Sequence, residues 1–354
     1  MTNEECETIR EPMDSLFSRG RLQSNSNEPW WQKNFFITRP LLFGTWDGVF
    51  TTVLGIGGIV NAVILLIICT SLALISVFSA IGIYERCQIQ SGGIYFLVSH
   101  ILGGQIGGAI GLMYTFGQLY DDVLIGFGES AARFLGIENS FIHKIIAIAG
   151  LLALTGTNMI GVRWIIRLQL ILLIFLMVAL IDFYLGALFK VDIENGVGYF
   201  SMIRLDANMN PMYDGFNCSQ LGFDVQQIRQ NFFTVFGVFF ANFLGVLAGV
   251  NMSDDLRDPQ LSIPVGELSA IAVSSMIILS FILLLGSLVN RAYLICDTLI
   301  AEKVSYTGFL YLIGLYVSSL SSTVGTLIGT PRVIQSIASE GIIPILNPLA
   351  IGVC

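Results

Sequence analysis

The chain has 354 residues, 54% of them hydrophobic and only 12% charged, with a formal net charge of −8. A soluble domain carries about 25% charged residues, so this composition excludes an ordinary soluble globule, and its scattered basic residues exclude a nucleic-acid binder. The six cysteines (Cys6, Cys69, Cys87, Cys218, Cys296, Cys354) and two histidines (His100, His143) have no metal-ligand spacing, no CxxC and no HExxH, which leaves little for a metal site or a thiol nucleophile.

Residues 1–40 are polar and lack an apolar core, so they read as a disordered cytosolic tail and not as a signal peptide. Trp30 and Trp31 in "NEPWWQKNFF" suit the headgroup zone of a bilayer. Residues 41–345 read as a transmembrane domain. Val53–Ile83, Ile145–Val162, Gln230–Ser253, Leu268–Asn290 and Val304–Pro331 contain no Asp, Glu, Lys or Arg, and a bilayer crossing takes about 20 helical residues. Uninterrupted apolar runs, in place of alternation, select helices over a barrel. The pattern predicts seven spans, at 53–83, 103–134, 144–162, 164–188, 231–252, 265–289 and 307–329. The second contains Asp121 and Asp122. Residues 346–354 form a short end piece.

The one long polar loop, 189–229, carries the glycosylation sequon Asn217-Cys218-Ser219, which places it outside. Asn251-Met252-Ser253 fits the same pattern at a span end on the opposite face, and reads as chance. With the long loop outside, the short loops carrying Arg86, Arg163, Arg167, Arg257 and Arg332 face the cytosol, in agreement with the positive-inside rule.

Glycine punctuates two of the apolar runs. "GGQIGGAIG", from Gly103 to Gly111, puts small residues on one helix face and predicts close helix packing. In "FGVFFANFLGVLAG", Gly237, Gly245 and Gly249 interrupt the run. That segment is either a glycine-containing helix or one broken at membrane depth, where freed N–H and C=O groups can hold ions.

Three segments carry a resemblance: "SGGIYFLVSHILGGQIGGAIGLMYTFGQ", "FFTVFGVFFANFLGVLAGVNMSDDLRDPQLSIP" and "SSLSSTVGTLIGTPRVIQSIASEGIIP". They resemble the cation-chloride cotransporters, solute carrier family 12. "LLFGTWDGVF", "GVRWIIRLQLILL" and "LIAEKVSYTGFLYLIGLY" are most similar to the eighth-member branch. The resemblance runs almost continuously from residue 30 to 345. It implies an all-α integral membrane protein of the amino acid–polyamine–cation superfamily, in which inverted repeats cradle a site between broken helices. It further implies an incomplete chain, with about seven of that fold's twelve spans. Most of the first span, about fifteen residues between Thr52 and Val53, is absent by this comparison, and so is everything after the eighth. One apolar run, 53–83, must then cross where two should. The expected consequences are a displaced tail, inverted later spans or a re-entrant hairpin at Gly55, Gly57 and Gly58, with poor insertion and no transport.

The resemblance also implies site positions. A chloride site falls on the backbone of Gly245, Val246 and Leu247, since N–H groups at a half-helix start bind anions whatever the side chain. A sodium site falls on Ser318, Ser321 and Ser322; as small residues these also suit helix packing. The family's potassium-site side chains are poorly matched: Val123 stands at the Tyr position, with Tyr120 nearby, Ala241 at the Pro position and Leu244 at the Thr position. Asp121 and Asp122 have no counterpart in the family. They read as an intramembrane cation or proton site, or as the mark of a locally shifted helix.

The function implied is secondary active symport of chloride with sodium or potassium by alternating access, with no covalent chemistry and no cofactor. The alternatives are an organic-solute carrier (polyamine, amino acid or nicotinamide mononucleotide) and a transport-dead membrane subunit that modulates full-length relatives. The implied partners are these ions or a small organic solute and the lipid bilayer, with a homodimer when full length. The implied location is the plasma membrane, as a multi-pass protein.

Overall fold

A helix pairs its backbone N–H and C=O groups within itself, as lipid demands, and the apolar runs fold accordingly. The computed structural model describes residues 51–86, 93–119, 145, 148–150, 152–156, 162–214, 216–221, 226–227, 229–243, 245–247, 249–250, 259–297, 299–339, 341 and 344–350. Among them, four helices are long and apolar enough to cross a membrane: Gly58–Ile83, Arg167–Phe189, Ser262–Leu288 and Phe309–Ser339.

Thr51–Ile56 form a π-helical turn, and helix α1 then runs uninterrupted from Gly58 to Arg86. The glycines at its start make a bend and no hairpin; of Gly55, Gly57 and Gly58 only the last has positive φ, +75°. Ala62, Leu65, Cys69, Ala73, Val77 and Ala80 are buried, and their spacing of three or four residues lines one helix face. On the other side Ile67, Ile75 and Phe78 are 61%, 65% and 57% exposed, a surface suited to lipid and not to water.

Helices α2 (Gly93–Leu102) and α3 (Gly104–Leu119) fold back on each other at Gly103, whose φ is +83°. Any Cβ at Gly107 would lie 2.6 Å from the Cα of Ser99, and one at Gly111 would lie 2.7 Å from the Tyr95 ring. The glycine row lets the two helices touch. The α2 helix is a short apolar element that the seven-span pattern did not isolate, because ten residues are too few to cross a bilayer.

Helix α4 (Val162–Phe189) leads to the 189–229 loop, where α5 (Met202–Ala207) and the two-residue strands β1 (Phe216–Asn217) and β2 (Gln226–Gln227) lie. Helix α6 (Phe232–Phe240) starts at Asn231, which forms a reciprocal capping box with Thr234. It passes into a 3₁₀ turn at Ala241–Phe243, beyond which the described residues 245–247 and 249 form turns. Helix α7 spans Pro259–Leu288, α8 Arg291–Cys296, α9 Ile300–Val304, α10 Phe309–Ser339 and α11 Asn347–Ala350.

Two antiparallel helix pairs organise the whole. In the first, Thr70 of α1 hydrogen-bonds Ser275 of α7 at 3.2 Å, and Ile59 packs directly over Gly286. In the second, Ala179 of α4 fills the space left by Gly314 of α10. The pairs meet where Phe183 stacks on Phe281, centroids 4.0 Å apart. Buried Asp182 accepts from the Thr307 N–H and hydroxyl and so anchors the approach to α10.

The 189–229 loop and the end of α8 are tied together covalently, as parts of one cap. A disulfide joins Cys218, in the loop before α6, to Cys296 at the end of α8. Asn208, 1% exposed, donates to the carbonyls of Gly286 and Val289 and closes the end of α7. The start of α1 docks on the same cap, with Ile59 N–H donating to Asn208 O and Met212 N–H to Ile56 O. The chain therefore reaches Thr51 on the side of the disulfide, and α1 runs from there toward the opposite face.

Candidate functional site

The break after α6 is built by sequence. Phe239 and Phe243 are buried anchors in the main core, and Gly245 follows them. Beyond Phe243 the chain makes turns at 245–247 and at 249–250, with Val246 and Val250 buried. Val246 N–H donates to Phe243 O at 3.3 Å, and Val250 N–H to Leu247 O at 3.1 Å. Among the described residues the N–H groups of Gly245 and Leu247 make no hydrogen bond. Of the three positions singled out for chloride, two thus offer an unused donor and Val246 does not. Val246 packs with the α1–α7 core, and Leu247 borders both that core and a smaller cluster.

Ser318 and Ser321 lie on α10, each 2% exposed. Ser321 Oγ has no hydrogen-bond partner. Ser322 follows on the same helix. Ser318 borders a cavity of about 40 Å³ whose other walls include Leu176, Ala179, Phe281, Tyr311 and Gly314. The serines sit on the α4–α10 pair, whereas Gly245, Val246 and Leu247 sit against the α1–α7 pair. Ala241 is exposed at the 3₁₀ turn. Tyr120, Asp121, Asp122, Val123 and Leu244 lie outside the described residues.

On the disulfide-bonded cap, Asn217 is exposed, and its Oδ1 accepts from Ser219 N–H and from the Ser219 hydroxyl at 2.8 Å. The middle residue of the sequon, Cys218, is fully buried in the disulfide. We expect Asn217→Gln to remove the mobility shift produced by glycosidase on the full-length protein; a shift unchanged in the variant would assign the glycan elsewhere.

The cap also holds most of the described charge outside the spans. Lys190 donates to Ser305 O and Lys303 pairs with Asp297 at 2.7 Å. A hydrogen bond from the Asn195 side chain holds the Asp192 carboxyl below its ordinary range. Burial, and next the charge of Asp297, push the Glu302 carboxyl above its own. A carboxyl raised in the folded state stabilises that state below its unfolded pKa and loses this contribution as pH rises through the folded value. Glu302→Gln should therefore flatten the loss of thermal stability above the carboxylate range, a change within about 0.5 kcal/mol. An identical pH profile for variant and wild type would place Glu302 in open water.

Three features escaped the sequence pattern. The Cys218–Cys296 pair had one signal, a cysteine in the 189–229 loop and another in the segment between the sixth and seventh sequence-predicted spans. Arg291 is partly buried, and its Nε and one terminal nitrogen lack partners. Glu267 is 1% exposed inside α7 with both carboxylate oxygens unpartnered; it stands just ahead of the charge-free run that begins at Leu268.

Residues 48–351 match the amino acid permease family. The chain is 43% identical over 343 residues to solute carrier family 12 member 8 of Homo sapiens, covering 92% of this chain and 46% of that protein. It is 42% identical over 357 residues to the member 8 protein of Xenopus laevis, covering 96% and 48%. To solute carrier family 12 member 2 of Homo sapiens it is 27% identical over 346 residues, covering 85% and 28%. The chain thus spans about half the length of the curated member 8 relatives it matches.

Proposed function

This chain belongs to the amino acid permease family, a family of all-helical membrane proteins, and from that premise we propose that it serves a secondary active transporter that moves chloride together with a cation by alternating access. One observation carries the reading: the turn after α6 has N–H donors on Gly245 and Leu247 without partners among the described residues, beside the core formed by α1 and α7. Backbone donors at membrane depth persist where they line a cavity or meet an ion. Chloride asks for such donors and for no particular side chain. The residues offered are main-chain groups, hydroxyls and carboxylates, which bind and release ions without covalent steps.

The test is uptake of radiolabelled chloride into proteoliposomes carrying the full-length protein. We expect uptake that depends on an imposed sodium or potassium gradient. We also expect Leu247→Pro, which removes one donor, to abolish it. Cation-independent leak, or full uptake in the proline variant, would remove the reading.

The sodium arm rests on α10. Ser321 carries a buried hydroxyl without a hydrogen-bond partner among the described residues, and hard oxygens suit a hard cation. The double substitution Ser321→Ala with Ser322→Ala should abolish any sodium dependence of uptake. Retained dependence would make both serines packing residues.

A second reading, carriage of an organic solute such as a polyamine, an amino acid or nicotinamide mononucleotide, is favoured by the sequence at Val123 and Leu244. They stand where the resemblance places a tyrosine and a threonine of the potassium site, and neither brings a side-chain oxygen. Competition of each solute with chloride uptake separates the two readings. A chain inert in every such assay fits a subunit that modulates full-length relatives. Residence in the plasma membrane and pairing into a homodimer belong to the same proposal.

A further inference from the structure

We propose that Glu267 is a proton-binding site whose ionisation opens the cytosolic half of the helix bundle. The proposal takes from the transporter reading only that this half must open and close. It is tested without any transported substrate, so the two stand or fall separately.

Glu267 is 1% exposed. Neither Oε1 nor Oε2 has a hydrogen-bond partner among the described residues. It lies on the buried face of α7 with Ile263, Ala270, Ile271 and Ser274. Ser274 does not serve it, since its hydroxyl donates to the carbonyl of Ala270 at 2.6 Å. The pairs Ile59/Gly286 and Thr70/Ser275 advance equally in opposite directions. That register sets Glu267 level with residue 78 of α1, between buried Val77 and Ala80. One turn below, Ile263 packs with Ala80, Ile94, Leu97 and Val250. The carboxyl therefore stands just above the seam where α2 closes on α1, on α7 and on the end of the broken segment.

Among the described residues, the elements packed around it bring no charge to it. On α1, no Asp, Glu, Lys or Arg occurs from Val53 to Ile83; of its titratable residues Cys69 lies more than two turns away, and Tyr84, Glu85 and Arg86 come only at the helix end. On α7 itself Glu267 is the sole charged residue between Ser262 and Leu288. The turns at 245–247 and 249–250 carry none. On α2, Tyr95 faces a different cluster, and His100 is exposed and stacks on Phe96. On α3 the nearest titratable group is Tyr114, at the edge of the seam. From α5, Arg204 reaches the opposite end of α7, donating to Leu288 O.

An ionised carboxylate taken from water without a partner costs several kcal/mol. The closed seam accommodates the carboxyl with a proton on it. When the proton leaves to cytosolic water, the carboxylate needs hydration, and parting α2 from α1 and α7 admits it. Reprotonation from the same water lets the seam close again. No other co-reactant is required.

Hydrogen–deuterium exchange of the full-length protein in lipid nanodiscs tests this, across pH 5.5–8.5 and corrected for the intrinsic pH dependence of amide exchange. In the wild type, peptides covering 73–83 and 263–274 should exchange at least tenfold faster at the alkaline end. Glu267→Gln, which keeps shape without charge, should hold them at the slow rate throughout. Parallel rises in wild type and variant, or no rise in either, overturn the proposal. Should Glu267→Gln fail to fold, Glu267→Asp must keep the rise, and a flat profile for it overturns the proposal equally.

Discussion

Cys296→Ser should lower the stability of the folded protein by roughly 4 kcal/mol, the loop-closure value for a bridge of this reach. The disulfide closes a loop of sequence separation 78 that contains α6, the broken segment and α7. Its loss releases the loop carrying Asn217 from the end of α8, and both its sulfurs lie in fully or almost fully buried residues, 0% and 2% exposed. In scanning calorimetry of the purified full-length protein the midpoint should fall by about 10 °C. Reductant should reproduce the fall in the wild type and add nothing in the variant. A midpoint unmoved by either treatment would mean that the hydrogen bonds of Asn208 and the packing around Val289 hold the cap unaided.

The second large effect is at Gly58. Its φ of +75° costs an ordinary L-residue about 1–2 kcal/mol, and a β-branched one more. A Cβ there would also lie 2.6 Å from the carbonyl oxygen of Asn210 and 2.9 Å from that of Met209. Those are backbone atoms, which no rotamer change can move aside, so overpacking adds a further ~1–3 kcal/mol. Gly58→Val should cost about 3–4 kcal/mol in all. The damage should be local, because Ile59 and Val60 donate to Asn208 O and Met209 O immediately beyond. Gly82→Val is the matched control: nothing lies within 4 Å of its Cβ position. Equal melting points for the two variants would show that the bend ahead of α1 bears no strain.

The membrane character was legible in the sequence because it follows from composition. Runs such as Val53–Ile83 and Leu268–Asn290 have one stable form in lipid. The interruption around Gly245 was legible only as an alternative, since glycine spacing alone does not distinguish a break from a tolerated glycine. What the sequence withheld was pairing. Nothing local marks Cys218 as the partner of Cys296, or Gly314 as the place where Ala179 fits; both are matters of helix register across the fold. Glu267 was hidden for a related reason. One carboxylate among apolar neighbours reads as the edge of a span until its burial, and the absence of any partner, are known. The serines of α10 were found by resemblance, but the lack of a hydrogen-bond partner for Ser321 Oγ is a property of the folded packing. The Gly245–Leu247 turn likewise needed its hydrogen bonds counted before Val246 could be separated from its two neighbours.

Alternating access around the α6–α7 break is tested most directly by thiol labelling at Gly245→Cys, in full-length protein whose other unpaired cysteines are replaced by serine. A membrane-impermeant maleimide is applied from the outer face and, separately, from the cytosolic face, with and without chloride. The account predicts modification from both faces, with chloride slowing it and shifting the ratio between them. Labelling from one face alone, at a rate indifferent to chloride, would contradict it.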